Sequence, residues 1–111
     1  MDVEEFFSEL RSAGSLTPRL VEEAIRLFGD RGGKALSAIG EGRVKKYLDF
    51  YVVVGRSDEY IVDEDFCTCN DFIFRGGRCW HILAVQIAAL TGRYESYDLW
   101  YQEIWGGESG P

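Results

Sequence analysis

Cys67-Thr68-Cys69, nine intervening residues, then Cys79-Trp80-His81: this stretch holds every cysteine and the sole histidine of a 111-residue chain, and it decides how the rest is read. An odd cysteine number packed into so short a span does not fit a secreted disulfide framework, where half-cystines come in even sets spread along the chain. Three thiolates and one imidazole are instead the donor set that tetrahedral Zn2+ prefers in a closed structural site. Alternate residues on an extended strand lie about 6.6 Å apart, too far for two sulfurs on one ion, so the chain must curl at the first pair. Thr68, Asn70 and Asp71 suit that curl. Two residues on a helix turn through about 200°, so Cys79 belongs at a helix entry and His81 in its first turn. The helix N-terminus there favours a thiolate-rich cluster. The predicted metal ligands are therefore Cys67, Cys69, Cys79 and His81, holding one structural zinc ion.

Working outward, Ile82 to Leu90 has one polar residue in nine and predicts a helix buried nearly all round. Upstream, residues 43 to 54 are rich in Val, Tyr and Phe, and Gly55-Arg56-Ser57-Asp58 is turn chemistry before Glu59-Tyr60-Ile61-Val62, which predicts a β-hairpin. Three helices precede it. Val3, Phe6, Phe7 and Leu10 share one side of the first, which ends at Ala13-Gly14-Ser15. Thr17-Pro18 opens the second as N-cap and first helical residue, and Leu20, Val21, Ala24, Ile25 and Phe28 form its stripe up to Gly29. Ala35, Leu36 and Ile39 mark a short third helix between the Gly32-Gly33 pair and Gly40. A last amphipathic helix is expected over residues 94 to 104, with Tyr94, Tyr97 and Tyr101 along one side.

The expected fold is α+β: N-terminal helices, a β-hairpin or small antiparallel sheet, the zinc site at the start of a buried helix, and a C-terminal helix. Residues 1–40 should pack as a helical segment on the same core as a zinc-finger domain at 41–105, with 106–111 as a flexible tail. Apolar residues at 46% and aromatics at 14% supply a real interior and exclude a wholly disordered chain. No run of 18 apolar residues occurs and the N-terminus is acidic, so the expected location is cytoplasmic, or nuclear in a eukaryote.

A net charge of −7 argues against coating nucleic acid by bulk charge. Charge is uneven, however. Arg31, Lys34, Arg43, Lys45 and Lys46, then Arg75, Arg78 and Arg93, either converge on one phosphate-binding patch or are solvated surface charges. Arg43, Lys45, Lys46, Arg75 and Arg78 are the candidate nucleic-acid contacts. The acidic block Asp58, Glu59, Asp63, Glu64, Asp65 and Asp71 either faces a basic partner or keeps the domain soluble. Ala84 and Ala88 put small residues at helical spacing, which either admits a partner helix or packs inside the same domain. Tyr94, Tyr97, Trp100 and Tyr101 have the aromatic enrichment of interfaces, and of cores. Catalysis is disfavoured, because a catalytic zinc keeps an open position and four good ligands fill it. The deaminase pattern H-x-E with P-C-x-x-C is absent.

The pattern C-x-C-x9-C-x-H resembles the SWIM zinc-binding domain, in which C-x-C and C-x-H flank a variable spacer and a short sheet precedes a helix. Ala84, three residues after His81, extends this to C-x-H-x-x-A, as in the SWIM subunit of the Shu recombination-accessory complex and its archaeal relatives. The helix ending at Phe28-Gly29, the Ala35-Leu36 helix, the valine-rich hairpin and the zinc segment are similar to that subunit in order and length, over roughly residues 17 to 104. The resemblance implies a small non-enzymatic protein that pairs with a RecA/RadA-family recombinase paralogue and assists homologous recombination and DNA repair. DNA contact would come through that complex, and no membrane or small-molecule substrate is implied. A stand-alone nucleic-acid-binding module is the alternative.

Overall fold

The computed structural model describes residues 1–55, 58–63, 66–69 and 79–100. Three helices of equal length open the chain: α1 (Val3–Ala13), α2 (Pro18–Phe28) and α3 (Asp30–Gly40). Their ends are where the side chains place them. The Asp2 carboxylate accepts the Glu5 N–H at 2.8 Å and caps α1, and the Thr17 hydroxyl accepts the Leu20 N–H at 3.3 Å and caps α2 ahead of Pro18. Gly14 ends α1 at φ 66°, where an L side chain would be strained.

The third helix departs from expectation. It begins at Asp30, so Gly32 and Gly33 lie inside it rather than before it. Packing explains Gly32: a Cβ there would come within 2.4 Å of the Ala24 carbonyl oxygen on α2. The two helices meet backbone to backbone at this point, and the contact outweighs the poor helix propensity of glycine. Ile25, expected on the buried stripe of α2, is 49% exposed, while Leu20 and Ala24 carry the contact.

Residues 43 to 54 divide into two strands, β1 (Val44–Lys46) and β2 (Tyr51–Val54), followed by β3 (Glu59–Asp63) and β4 (Phe66–Cys67). The β2–β3 hairpin is the predicted one, with Val53 opposite Tyr60 and Tyr51 opposite Val62. Helix α4 (Trp80–Thr91) follows, and then β5 (Glu95–Ser96). The sheet order is β4-β3-β2-β1-β5, antiparallel except that β5 runs parallel to β1. The fold class is thus α+β, with a mixed sheet in place of the antiparallel one. The helix expected over 94–104 does not form at 94–100, because Lys45 and Lys46 pair with Glu95 and Ser96; the remainder of that span, and the tail at 106–111, lie outside the described residues.

Side chains alternate across the strands, so Val44, Val53, Val62 and Cys67 all reach the same core, on the face covered by α4. Phe6 and Leu10 of α1, Leu20 and Ala24 of α2, and Ala35, Ala38 and Ile39 of α3 join that core. Helix α4 is buried nearly all round as predicted, with Ile82, Leu83, Ala84, Ile87 and Ala88 almost fully covered. None of the described helices is long and apolar enough to cross a membrane.

Candidate metal centre

The four predicted ligands converge. Cys67 ends β4 opposite Val62 on β3. The chain leaves the strand at Thr68, whose N–H donates to the Ile61 carbonyl at 3.1 Å while its hydroxyl accepts the Ile61 N–H at 3.1 Å. The residue between the two cysteines is therefore fastened to β3 twice, and the predicted curl follows, bringing Cys69 back beside Cys67. Asn70 and Asp71, also assigned to that curl, lie outside the described residues.

On the other side Cys79 is the N-cap of α4, in extended conformation at φ −79° and ψ 171°, and its carbonyl accepts the Leu83 N–H at 3.1 Å. His81 is the second helical residue. Donor atoms of Cys67, Cys69, Cys79 and His81 all lie within 4.8 Å of one another. Tetrahedral zinc–sulfur bonds of about 2.3 Å place sulfurs about 3.8 Å apart, so the group already has the scale of such a site.

Burial and charge agree with that assignment. All four side chains are buried, and apart from its interaction with the Cys79 thiol the His81 ring has no well-formed hydrogen-bond partner among the described residues. A buried, unsatisfied imidazole is costly unless something binds it, and a metal ion does so. The thiol of Cys79 is held well below its usual range, first by its hydrogen bond from Cys67, with His81 and then the Ile82 backbone N–H at the helix N-terminus adding to the effect against burial. Cys67 is pushed correspondingly up, by that same hydrogen bond and then by burial. The surroundings of Cys79 thus favour a negative charge at the start of the helix, which suits a bound cation. Three sulfurs and one nitrogen complete a tetrahedron, which makes the centre structural.

The other predicted contacts fare differently. Ala84 and Ala88 have no exposed surface, in a helix that packs on α1, α3 and the sheet. Tyr94 packs edge-on against Tyr51 at 5.8 Å, and Tyr97 stacks on Tyr47 at 5.1 Å. The Tyr97 hydroxyl donates to Glu95 at 2.6 Å, and Lys45 donates to the same carboxylate at 3.2 Å. Arg43 donates to the Val54 carbonyl at 3.1 Å and its Nε lies 2.8 Å from Glu41. Two of the candidate phosphate contacts, Arg43 and Lys45, are thus engaged by carboxylates, while Lys46 is exposed. Trp100 is 47% exposed, beside Leu99 at 48%; Leu48, at 50%, donates its N–H to the Leu99 carbonyl. Tyr101, Arg75 and Arg78 lie outside the described residues.

Sequence reasoning missed two neighbours of the centre. The rings of Tyr60 and Trp80 lie 4.2 Å and 3.9 Å from the imidazole of His81. Adjacency in the chain points to Trp80, but no spacing links residue 60 to residue 81.

A buried Cys3His centre that ties the edge of a small sheet to the start of a helix defines a zinc-binding module, and the SWIM zinc finger model matches residues 51–90 of this chain. The chain belongs to the SWIM zinc finger family. It is similar to an uncharacterized protein of Archaeoglobus fulgidus, with 47% identity over 77 residues that cover 67% of each chain. No solved structure matches it.

Proposed function

We propose that this chain is a non-enzymatic, zinc-stabilised adaptor that pairs with a RecA/RadA-family recombinase paralogue and assists homologous recombination and DNA repair. The observation that carries this reading is Ala84, which extends the metal motif to C-x-H-x-x-A within a chain whose order of helices, hairpin and metal segment is similar to the SWIM subunit of the Shu complex. A closed metal centre supports an adaptor over an enzyme, since it leaves no coordination position for substrate. Burial of Ala84 and Ala88 within the chain favours a partner surface elsewhere. The apolar side chains left to a partner at the far end of the sheet are Leu48, Leu99 and Trp100, each about half exposed and adjacent.

Ion pairing of Arg43 and Lys45 weighs against the alternative of a module that binds nucleic acid alone. Co-expression with each RecA-family protein of the host, followed by size-exclusion chromatography with light scattering, tests the proposal. A stable hetero-complex that Trp100→Ala weakens about tenfold or more is expected, a loss typical of an interface anchor. Absence of a complex with every paralogue overturns the adaptor reading. Tight, steeply salt-dependent binding of the isolated chain to DNA replaces it with the second.

A further inference from the structure

Metal-bound histidines as a rule donate their second ring N–H to a carboxylate, a carbonyl or water, which fixes both tautomer and ring plane. Both ring nitrogens of His81 are buried, and apart from the Cys79 thiol no described residue gives either a well-formed hydrogen bond. Whichever nitrogen faces the three sulfurs, no described residue supports the other. What the ring does have is aromatic neighbours. Tyr60 lies with its centroid 4.2 Å from that of the imidazole and Trp80 with its centroid at 3.9 Å, each inclined by 34°. At these separations the rings are in van der Waals contact, and rotation of the imidazole about its Cβ–Cγ bond would drive it into one of them.

The two aromatics come from different elements, and that gives the arrangement its leverage. Trp80 is the first residue of α4, and Tyr60 belongs to β3, the strand against which Cys67 and Thr68 are registered. Tyr60 therefore links the helix-borne nitrogen ligand to the strand that fixes the C-x-C pair. We infer that Tyr60 and Trp80 are positioning residues of the metal centre, whose rings set the plane of the His81 imidazole. The contact needs the rings and not the Tyr60 hydroxyl. It stands independently of any partner protein.

Full-length Tyr60→Leu, Trp80→Leu and Tyr60→Phe chains test the inference, with Zn2+ affinity read by competition against a chromophoric chelator and the ligand field read from the visible absorption of the Co2+-substituted chain. Both leucine variants are expected to bind Zn2+ about 10- to 100-fold more weakly, the usual loss when support around a metal ligand is removed. Their Co2+ bands are expected to shift, while Tyr60→Phe restores wild-type affinity and bands. Tyr60→Leu in a His81→Cys background separates positioning from general packing, because a thiolate ligand has no ring plane to hold. No further loss there is expected; an equal loss shows that the rings only support the fold and overturns the inference. Where His81→Cys does not fold, the Co2+ bands of Tyr60→Leu and Tyr60→Phe, compared at matched folded fraction, decide, and identical bands overturn it. Wild-type Zn2+ affinity in both leucine variants also overturns it.

Discussion

Gly32 and Gly33 are neighbours in one helix, and alanine at each should change stability in opposite directions. A Cβ at Gly32 would stand 2.4 Å from the Ala24 carbonyl oxygen and 3.3 Å from the Ile25 Cα, both backbone atoms that cannot rotate aside. Ordinary contact begins at 3.4 Å, so α2 and α3 must part by about 1 Å there. A gap of that size forfeits roughly a quarter to a half of the dispersion attraction across the contact, and overpacking typically costs about 1–3 kcal/mol. A contact as short as 2.4 Å belongs to the upper part of that range, about 2–3 kcal/mol, and the better helix propensity of alanine returns about 1 kcal/mol, leaving Gly32→Ala destabilised by about 1–2 kcal/mol. At Gly33 a Cβ meets nothing within 4 Å and the position is exposed, so only the propensity gain acts and Gly33→Ala is stabilised by about 0.5–1 kcal/mol. Urea denaturation followed by far-UV circular dichroism, with Zn2+ in excess so that metal loading is equal, should separate the two variants by about 1.5–3 kcal/mol at unchanged m-value. Gly32→Ala at or above wild-type stability, or Gly33→Ala below Gly32→Ala, would refute the close-approach argument.

Removal of zinc by a chelator should release the site first. Structural zinc contributes about 10–16 kcal/mol of apparent binding energy in small peptides, against a total stability of about 5–15 kcal/mol for a domain. Amide exchange is expected to accelerate over residues 59–63, 66–69 and 79–83 before residues 44–46, and unchanged protection near Cys67 and Cys79 after complete metal removal would contradict this. A pH effect is expected at Glu95. Its carboxyl is held below the ordinary value of 4.5, first by the Tyr97 hydroxyl and then by Lys45, whose own charge is favoured by the same two groups despite partial burial. A depressed carboxyl contributes stability that is present above its unfolded pKa and is lost as pH falls through the folded value, so the contribution disappears below pH 4.5. Carboxyl carbon NMR should place Glu95 below 4.5 in the native chain and nearer to it in Tyr97→Phe; equal values in the two would remove the hydroxyl as the cause.

Helix ends and the metal centre were readable from local chemistry. Thr17-Pro18, Gly14 and Gly29 act within a few residues of where they stand, and the C-x-C and C-x-H pairs each carry their own geometric demand on strand and helix. What escaped was non-local. The Gly32-Gly33 pair looks like a helix boundary until α2 supplies a backbone for Gly32 to approach. Tyr94 and Tyr97 have helical spacing, but β1 offers Glu95 and Ser96 a parallel partner 50 residues away, and the pairing prevails over the periodicity. Valines at 52 to 54 and the aromatics around them do not reveal that Tyr47 to Phe50 separate two strands. Tyr60 is drawn to His81 only by the register of a sheet.

The sheet order has a mechanical consequence. β4 and β5 are the two outermost strands, and α4 is the one described helix between them in the chain. The helix is thus lashed at its start to one margin by an ion and at its finish to the opposite margin by main-chain bonds. One lashing depends on a metal ion and the other does not. A cell that withholds zinc would loosen the molecule from a single side, with the opposite margin serving as the pivot.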